Sequence, residues 1–276
     1  MRAALIVVLS FFLFSGSDAL VKMLAVKFVA PQVTFMSTIV ALVALFATTA
    51  ATGRMKALIP RHPALAITRG VLLAADALLI HYAFAVLPLA EAYLLAFLAP
   101  VFVAILAFAL LGERLSPVAW AGVLIGFLGV AVALRPGVAP LNLGHAAAAG
   151  SALLFALSLV LLRRAKSTES DSALISTTLV IQIILAFGAP LLYGEFLPVA
   201  SGDIGLAVIT GLLAFAGHAL LVRAFRIGDA SVVAPFQYSQ IIWGCLYGAV
   251  LFAAPVEIYT IIGAGIIIAS GWLVLR

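Results

Sequence analysis

Residues 91–111 read EAYLLAFLAPVFVAILAFALL. After Glu91 the stretch carries no charge, and it is as long as the roughly 20 apolar residues an α-helix needs to cross a bilayer core. Similar runs fill the rest of the chain, at 3–23, 32–51, 64–86, 117–134, 145–162, 173–193, 204–225, 231–252 and 257–275. The composition agrees: 66% of residues are hydrophobic, 9% are charged and the mean hydropathy is +1.31. An ordinary soluble domain has about 25% charged residues, so this chain needs lipid as a solvent. The sequence therefore predicts an all-α membrane protein with ten transmembrane helices.

The breaks between runs carry turn residues and charge, as helix boundaries should. Gly53-Arg54-Met55-Lys56 and Pro60-Arg61-His62-Pro63 form one polar loop, Gly112 to Pro117 a tight one, and Arg163 to Asp171 the most charged. The net charge of +5 sits in these loops rather than on a basic face with interleaved aromatics, so no nucleic-acid partner is expected. With the N-terminus inside, 12 of the 15 Lys and Arg fall on the cytoplasmic side and only Lys22, Lys27 and Arg135 outside. The positive-inside rule then places both termini in the cytoplasm of a bacterial inner membrane. Arg2, the apolar run Leu5 to Phe14 and the small residues Ser15 to Ala19 resemble a signal peptide. The run continues past them and has a counterpart later in the chain, so a retained first helix is expected.

That counterpart appears when the chain is shifted by 141 residues. Phe14 then meets Phe155, Lys22 meets Arg163, Gly70 meets Gly211, Phe84 meets Phe225, Gly122 meets Gly263 and Arg135 meets Arg276. Matches of glycine, phenylalanine and basic residues at one constant shift predict two repeats, 1–135 and 145–276, joined by a linker at 136–144. Each repeat has five spans, an odd number, so equivalent helices must cross in opposite senses. Inverted repeats of this kind build secondary transporters, with the solute near the midplane between the halves.

The stretch from Tyr82 through Glu91, Tyr93, Phe97 and Pro100, followed by Leu111-Gly112-Glu113-Arg114-Leu115 and Gly122, Gly126 and Gly129, resembles the EamA domain of the drug/metabolite transporter superfamily. Phe225 to Pro235 and Gly263 to Gly265 repeat the pattern more weakly, and Asp18 to Lys22 followed by Pro31-Gln32 also fits. The resemblance covers the whole chain. It implies transport of a small organic solute such as an amino acid, amine or vitamin. Two positions depart from the pattern: Ser37, often arginine in relatives, and Ala253-Ala254, which stand where the first half has Gly112-Glu113.

Ionisable groups at membrane depth are costly, and each is a functional candidate. Asp76, in the middle of the third span, can meet a positive part of the solute or carry a proton; it can equally bond a neighbouring helix or Arg69. His218 stands one position from the equivalent of Asp76 and can face the same cavity or simply pack. His81 and Tyr82 can line a vestibule or anchor at the interface. Asp18 and Lys22, four residues apart, are expected to pair across one helical turn and to serve as a gate or a plain ion pair. In the ninth span Gln237, Tyr238, Gln240 and Trp243 follow Pro235 and can bind the solute or simply hold helices together; Tyr93 and Phe97 are the counterpart region in the fourth, where Pro100 offers a hinge, and Pro100 and Pro235 are the gating candidates. Gly122 and Gly126 predict close helix packing.

No Walker A motif, HExxH or nucleophile elbow is present, and the single Cys245 excludes a disulfide framework. No catalytic residue, cofactor or metal site is expected, and the chain does not read as an enzyme. The expected function is a secondary transporter working by alternating access, with proton coupling one option, as a monomer or homodimer. The alternatives are a broad-specificity exporter of drugs or amino acids and a membrane scaffold that transports nothing.

Overall fold

A computed structural model describes residues 2–112, 116–135, 140–165, 169–193, 197–227, 239–255 and 257–274. Among them there are only helices: α1 (Arg2–Leu24), α2 (Ala30–Ala51), α3 (Pro63–Val86), α4 (Leu89–Ala96), α5 (Ala99–Leu111), α6 (Pro117–Leu134), α7 (Leu143–Ala165), α8 (Asp171–Tyr193), α9 (Ser201–Ile227), α10 (Ser239–Phe252) and α11 (Ile258–Val274), with a short 3-10 turn at Met55–Leu58. Seven segments are long and apolar enough to cross a membrane, α4 and α5 together counting as one, and three shorter apolar helices lie in α6, α10 and α11. Each of the ten expected spans thus finds an apolar helix.

Proline and glycine set the ends. Pro31, Pro63 and Pro117 stand in the first turns of α2, α3 and α6, where a missing N–H costs nothing. The fourth span, expected as one helix over 91–111, is broken. α4 stops at Ala96, Phe97 and Leu98 form a turn, and α5 restarts with Pro100 in its first turn. Proline cannot donate to a carbonyl four residues back and crowds the turn before it, so the break falls where the sequence placed a hinge. α5 ends at Gly112, whose φ of 67° is left-handed. Ala253 follows α10 with φ 48° and is the position equivalent to Gly112. The second half keeps the left-handed turn but makes it with an L side chain.

Helix boundaries recur at the shift of 141 residues. Arg2–Leu24 maps onto 143–165, the span of α7, and Pro117–Leu134 onto 258–275, against Ile258–Val274 for α11. Packing recurs as well. Ser10 Oγ donates to the Gly217 carbonyl at 2.8 Å and Ser17 Oγ to the Thr210 carbonyl at 3.0 Å, tying α1 to α9. At the equivalent positions Ser151 Oγ donates to Asp76 Oδ1 at 2.5 Å, and Arg69 Nε donates to the Ser158 carbonyl at 3.2 Å, tying α7 to α3. In both pairs rising numbers on one helix meet falling numbers on the other, so the helices run antiparallel. Gly70 is pressed against Thr178 and Ile181 of α8, and Gly211 against Ser37 and Val40 of α2. Those are again equivalent sets, and they put Ser37 in a helix seam.

α6 packs along α11 through small residues. A Cβ at Gly126 would sit 3.0 Å from Ser270 Oγ, and one at Gly129 would sit 2.8 Å from Ile267. The glycine pattern of the fifth span therefore serves packing inside the chain. One apolar core joins the helices around Tyr93, Leu94, Leu89, Phe84 and Ala19, all nearly fully buried.

The left-handed Ala253 generates a test. An alanine there is strained by about 1 kcal/mol relative to glycine. Ala253→Gly is expected to raise the midpoint of thermal unfolding in detergent by about 3 °C and Gly112→Ala to lower it similarly.

Candidate functional site

The polar centre that joins most elements is built on Asp18. Its Oδ2 accepts a hydrogen bond from Tyr93 Oη at 2.7 Å and a longer one from Gln240 Nε2 at 3.3 Å. Three helices, α1, α4 and α10, meet there. Local sequence explains the position of each. Tyr93 lies in short α4, just before the break, and its ring packs edge-on to Phe84 at 5.5 Å. The other side of the ring rests on Gly244, where a Cβ would come within 2.5 Å of it. Gln240 stands one helical turn before Gly244 on α10, so the glycine that admits the tyrosine also presents the amide to Asp18.

Beside this centre α1 and α10 share an aromatic seam. Trp243 packs edge-on to Phe12 at 5.2 Å, and Tyr247 tilts against the same ring at 5.7 Å. The indole Nε1 of Trp243 and the hydroxyl of Ser239 are buried with no hydrogen-bond partner among the described residues. Buried polar atoms in native proteins nearly always have partners, so these two donors, within one turn of Gln240 and unpaired among the described residues, mark a polar spot in the seam.

Lys22 departs from expectation. It does not pair with Asp18; its Nζ donates to the carbonyls of Phe84 and Leu87 at 2.8 and 2.7 Å. Those carbonyls close the last turn of α3, where no intrahelical donor exists and a cation is favoured. The helix end outcompetes the carboxylate one turn away. Asp76 does not pair with Arg69 either, since each takes a serine of α7. His81 Nδ1 lies 2.6 Å from Thr34 Oγ1 of α2. Tyr82 is exposed on the bundle surface. His218 Nδ1 bonds the Ala214 carbonyl of its own helix at 3.0 Å, with its ring edge-on to Phe14. Asp76 faces α7 while His218 faces α1, so they do not share a contact. Pro235, Gln237 and Tyr238 lie outside the described residues, and only the backbone of Pro100 is described.

Other polar groups, not singled out by the sequence, link the two halves at the bundle end that carries the α1–α2 connection. Lys27 pairs with Asp203, Arg135 with Glu257, and Glu91 with His145 at 3.6 Å. Gln32 exchanges two hydrogen bonds with the backbone of Leu197. At the opposite end Ser170 and Ser176 donate to the carbonyls of Ala57 and Leu58, and Glu169 accepts from the His62 amide. The signal for the second-half residues was charge close to a predicted boundary, which reads first as a solvated loop.

Residues 1–135 and 142–276 each match the EamA-like transporter family. The chain belongs to that family. The pseudopaline exporter CntI of Pseudomonas aeruginosa is 25% identical over 268 residues, covering 96% of this chain and 93% of the exporter. A riboflavin transporter of Rhizobium johnstonii is 26% identical, covering 70% of this chain and 63% of its own. An S-adenosylmethionine uptake transporter of Rickettsia bellii is 24% identical, covering 76% and 71%. A solved crystal structure superposes with a TM-score of 0.68 over 99% of this chain and 96% of that one at 21% identity, a likeness of fold. The family and these relatives are membrane transporters of small solutes.

The paired serines give a direct test. Ser151→Ala leaves the half-buried Asp76 carboxyl without its serine donor and is expected to cost about 1–3 kcal/mol. Ser10→Ala leaves only a helix carbonyl and is expected to cost less. Thermal unfolding of the two variants in one detergent measures the difference.

Proposed function

We propose that this EamA-like transporter is a secondary carrier that moves a small organic solute with a positive group, an amino acid, amine or vitamin-type metabolite, across the bacterial inner membrane by alternating access. The observation that carries the reading is the Asp18 centre: one carboxylate held by a donor from the first half and a donor from the second. The two repeats, 1–135 and 145–276 around a short linker, are read as inverted in the membrane. Lys22, in the last turn of α1, reaches the last turn of α3, so these helices end together. α3 runs antiparallel to α7, which leaves α1 and its equivalent α7 pointing opposite ways. The positive-inside count puts both termini in the cytoplasm and the α1–α2 end outside.

In this reading the ion pairs Lys27–Asp203, Arg135–Glu257 and Glu91–His145 close the outer end. A charged Asp18 requires donors from both Tyr93 and Gln240. A cationic group of the solute, or a proton, satisfies it instead and frees α4 and α10 from each other. The break after Ala96 lets α4 move with Tyr93 while α5 stays packed, as the discontinuous helices of other carriers do. Trp243 and Tyr247 offer π faces to a cation, and Trp243 Nε1 and Ser239 Oγ offer hydrogen bonds. Asp76 becomes a packing residue, because its bond to Ser151 repeats the bond of Ser10 to Gly217. The aromatic seam also suits a broad-specificity exporter, which differs from the first reading in accepting uncharged apolar solutes.

The test is an uptake and thermal-shift panel of amino acids, amines, nucleosides, vitamins and apolar drugs on the purified protein in proteoliposomes. A positively charged or zwitterionic solute is expected to give flux. Asp18→Asn should reduce that flux at least tenfold and flatten its pH dependence, with Asp76→Asn near wild type. Unchanged flux in Asp18→Asn overturns the assignment of the centre. No flux for any solute supports the scaffold alternative.

A further inference from the structure

A cavity of about 620 Å³ lies far from Asp18, at the bundle end that carries the α2–α3 connection. Its wall is apolar: Phe46 of α2, Ile67 of α3, and Val180 and Ile181 of α8. Ile181 is ten residues into α8, about 15 Å along the axis, or roughly half of a 30 Å hydrocarbon core. The cavity is therefore about one leaflet deep. It shares Lys56 and Ile59 with a second cavity of about 300 Å³ that Arg61, Glu169 and Ser170 complete. The Glu169 carboxylate accepts from the backbone amides of Arg61 and His62 and is drawn to the Arg61 charge, though no side-chain ion pair forms between them. Among the described residues no ion pair engages Lys56 or Arg61. An apolar slot thus opens into a polar one with two cations at its mouth.

The repeat shows why the slot exists. At the opposite end of the bundle the equivalent space is filled. Phe35 tilts against Phe187 there at 5.3 Å, and Gln32 bonds the backbone of Leu197. The shift of 141 carries Phe187 back onto Phe46, but it carries Phe35 onto Ser176 and Gln32 onto Ala173. The tilted ring and the sealing amide are both missing at this end, and Ser176 turns instead to the Leu58 carbonyl. The cations follow the same asymmetry: Lys56 stands where the other end has Leu197, and Arg61 where it has Gly202.

We propose that this paired cavity binds one anionic phospholipid of the leaflet at the basic end, its acyl chain against Phe46, Ile67 and Ile181 and its phosphate between Lys56 and Arg61. Charge complementarity selects the occupant, because a basic site at the surface of a bilayer faces anionic headgroups. A bound lipid touches α2 and α3 of one half and α8 of the other. It packs the seam that Gly70 forms with Thr178 and Ile181. The proposal stands independently of which solute is carried.

The test is thermal unfolding of the purified protein in detergent with added phosphatidylglycerol or phosphatidylcholine. Phosphatidylglycerol is expected to raise the midpoint by about 5 °C more than phosphatidylcholine at saturating lipid. Lys56→Gln combined with Arg61→Gln should remove most of that difference. Ser176→Phe restores the missing ring while leaving every charge in place, and it should remove the difference too, whereas Ser176→Ala should keep it. Equal stabilisation by the two lipids overturns the proposal, as does an undiminished difference in the Lys56/Arg61 variant. If Ser176→Phe does not fold, the charge variant alone decides. If it folds and keeps the full response, the lipid binds elsewhere and the site is wrong.

Discussion

A hydroxyl, guanidinium or carboxylate inside a bilayer has no water to bond, so its partner must come from the protein. In this chain that constraint acts across the helix seams. Ser10 and Ser17 on α1 reach α9, and their equivalents Ser151 and Ser158 on α7 meet α3. These four contacts hold the first helix of each half against the third of the other, in antiparallel pairs. Glycines at 70 and 211 let α3 and α9 approach their remaining neighbours. The apolar residues fill the space, but lipid is as apolar as leucine, so the polar contacts and close packing of small residues set the register.

The asymmetry between the halves is where function enters. Where Ser10 finds a helix carbonyl, Ser151 finds the side chain of Asp76. Where Phe35 fills one end, Ser176 leaves the other open. Asp18 has no acidic counterpart, since Leu159 stands at the equivalent position. A symmetric bundle would have two equal ends. Among the described residues, this one has three ion pairs between halves at one end and a basic opening at the other.

Much of the architecture was legible in the sequence. The ten apolar runs and the shift of 141 residues located the helices to within three positions, save the start of the ninth run, which lies outside the described residues, because hydropathy and a duplicated pattern are properties of the chain itself. The break after Ala96 was legible in Pro100 as a hinge, though not as a full interruption. Partners were harder to read. The spacing of Asp18 and Lys22 favours pairing on an isolated helix, but the free carbonyls at the end of α3 drew Lys22 away, and those become neighbours only in the fold. Asp76 drew attention as a lone carboxylate at depth. Its partner Ser151 matches Ser10 at the same shift that aligned the glycines, but the match alone does not show which helix either serine faces. Glu91, His145 and Asp203 stand at the ends of predicted spans, and nothing in the sequence pairs them, because their partners lie in the other half, more than 50 residues away.

The central claim is that the two halves move against each other and that the contacts at the α1–α2 end must open for solute to pass. The most direct measurement replaces Lys27 and Asp203 with cysteine, in a chain whose Cys245 is alanine, and joins them with a reducible bifunctional thiol reagent in proteoliposomes. Solute flux is expected to stop when the crosslink forms and to return on reduction, while either single-cysteine protein treated the same way keeps its flux. Full flux through the crosslinked protein would contradict the account.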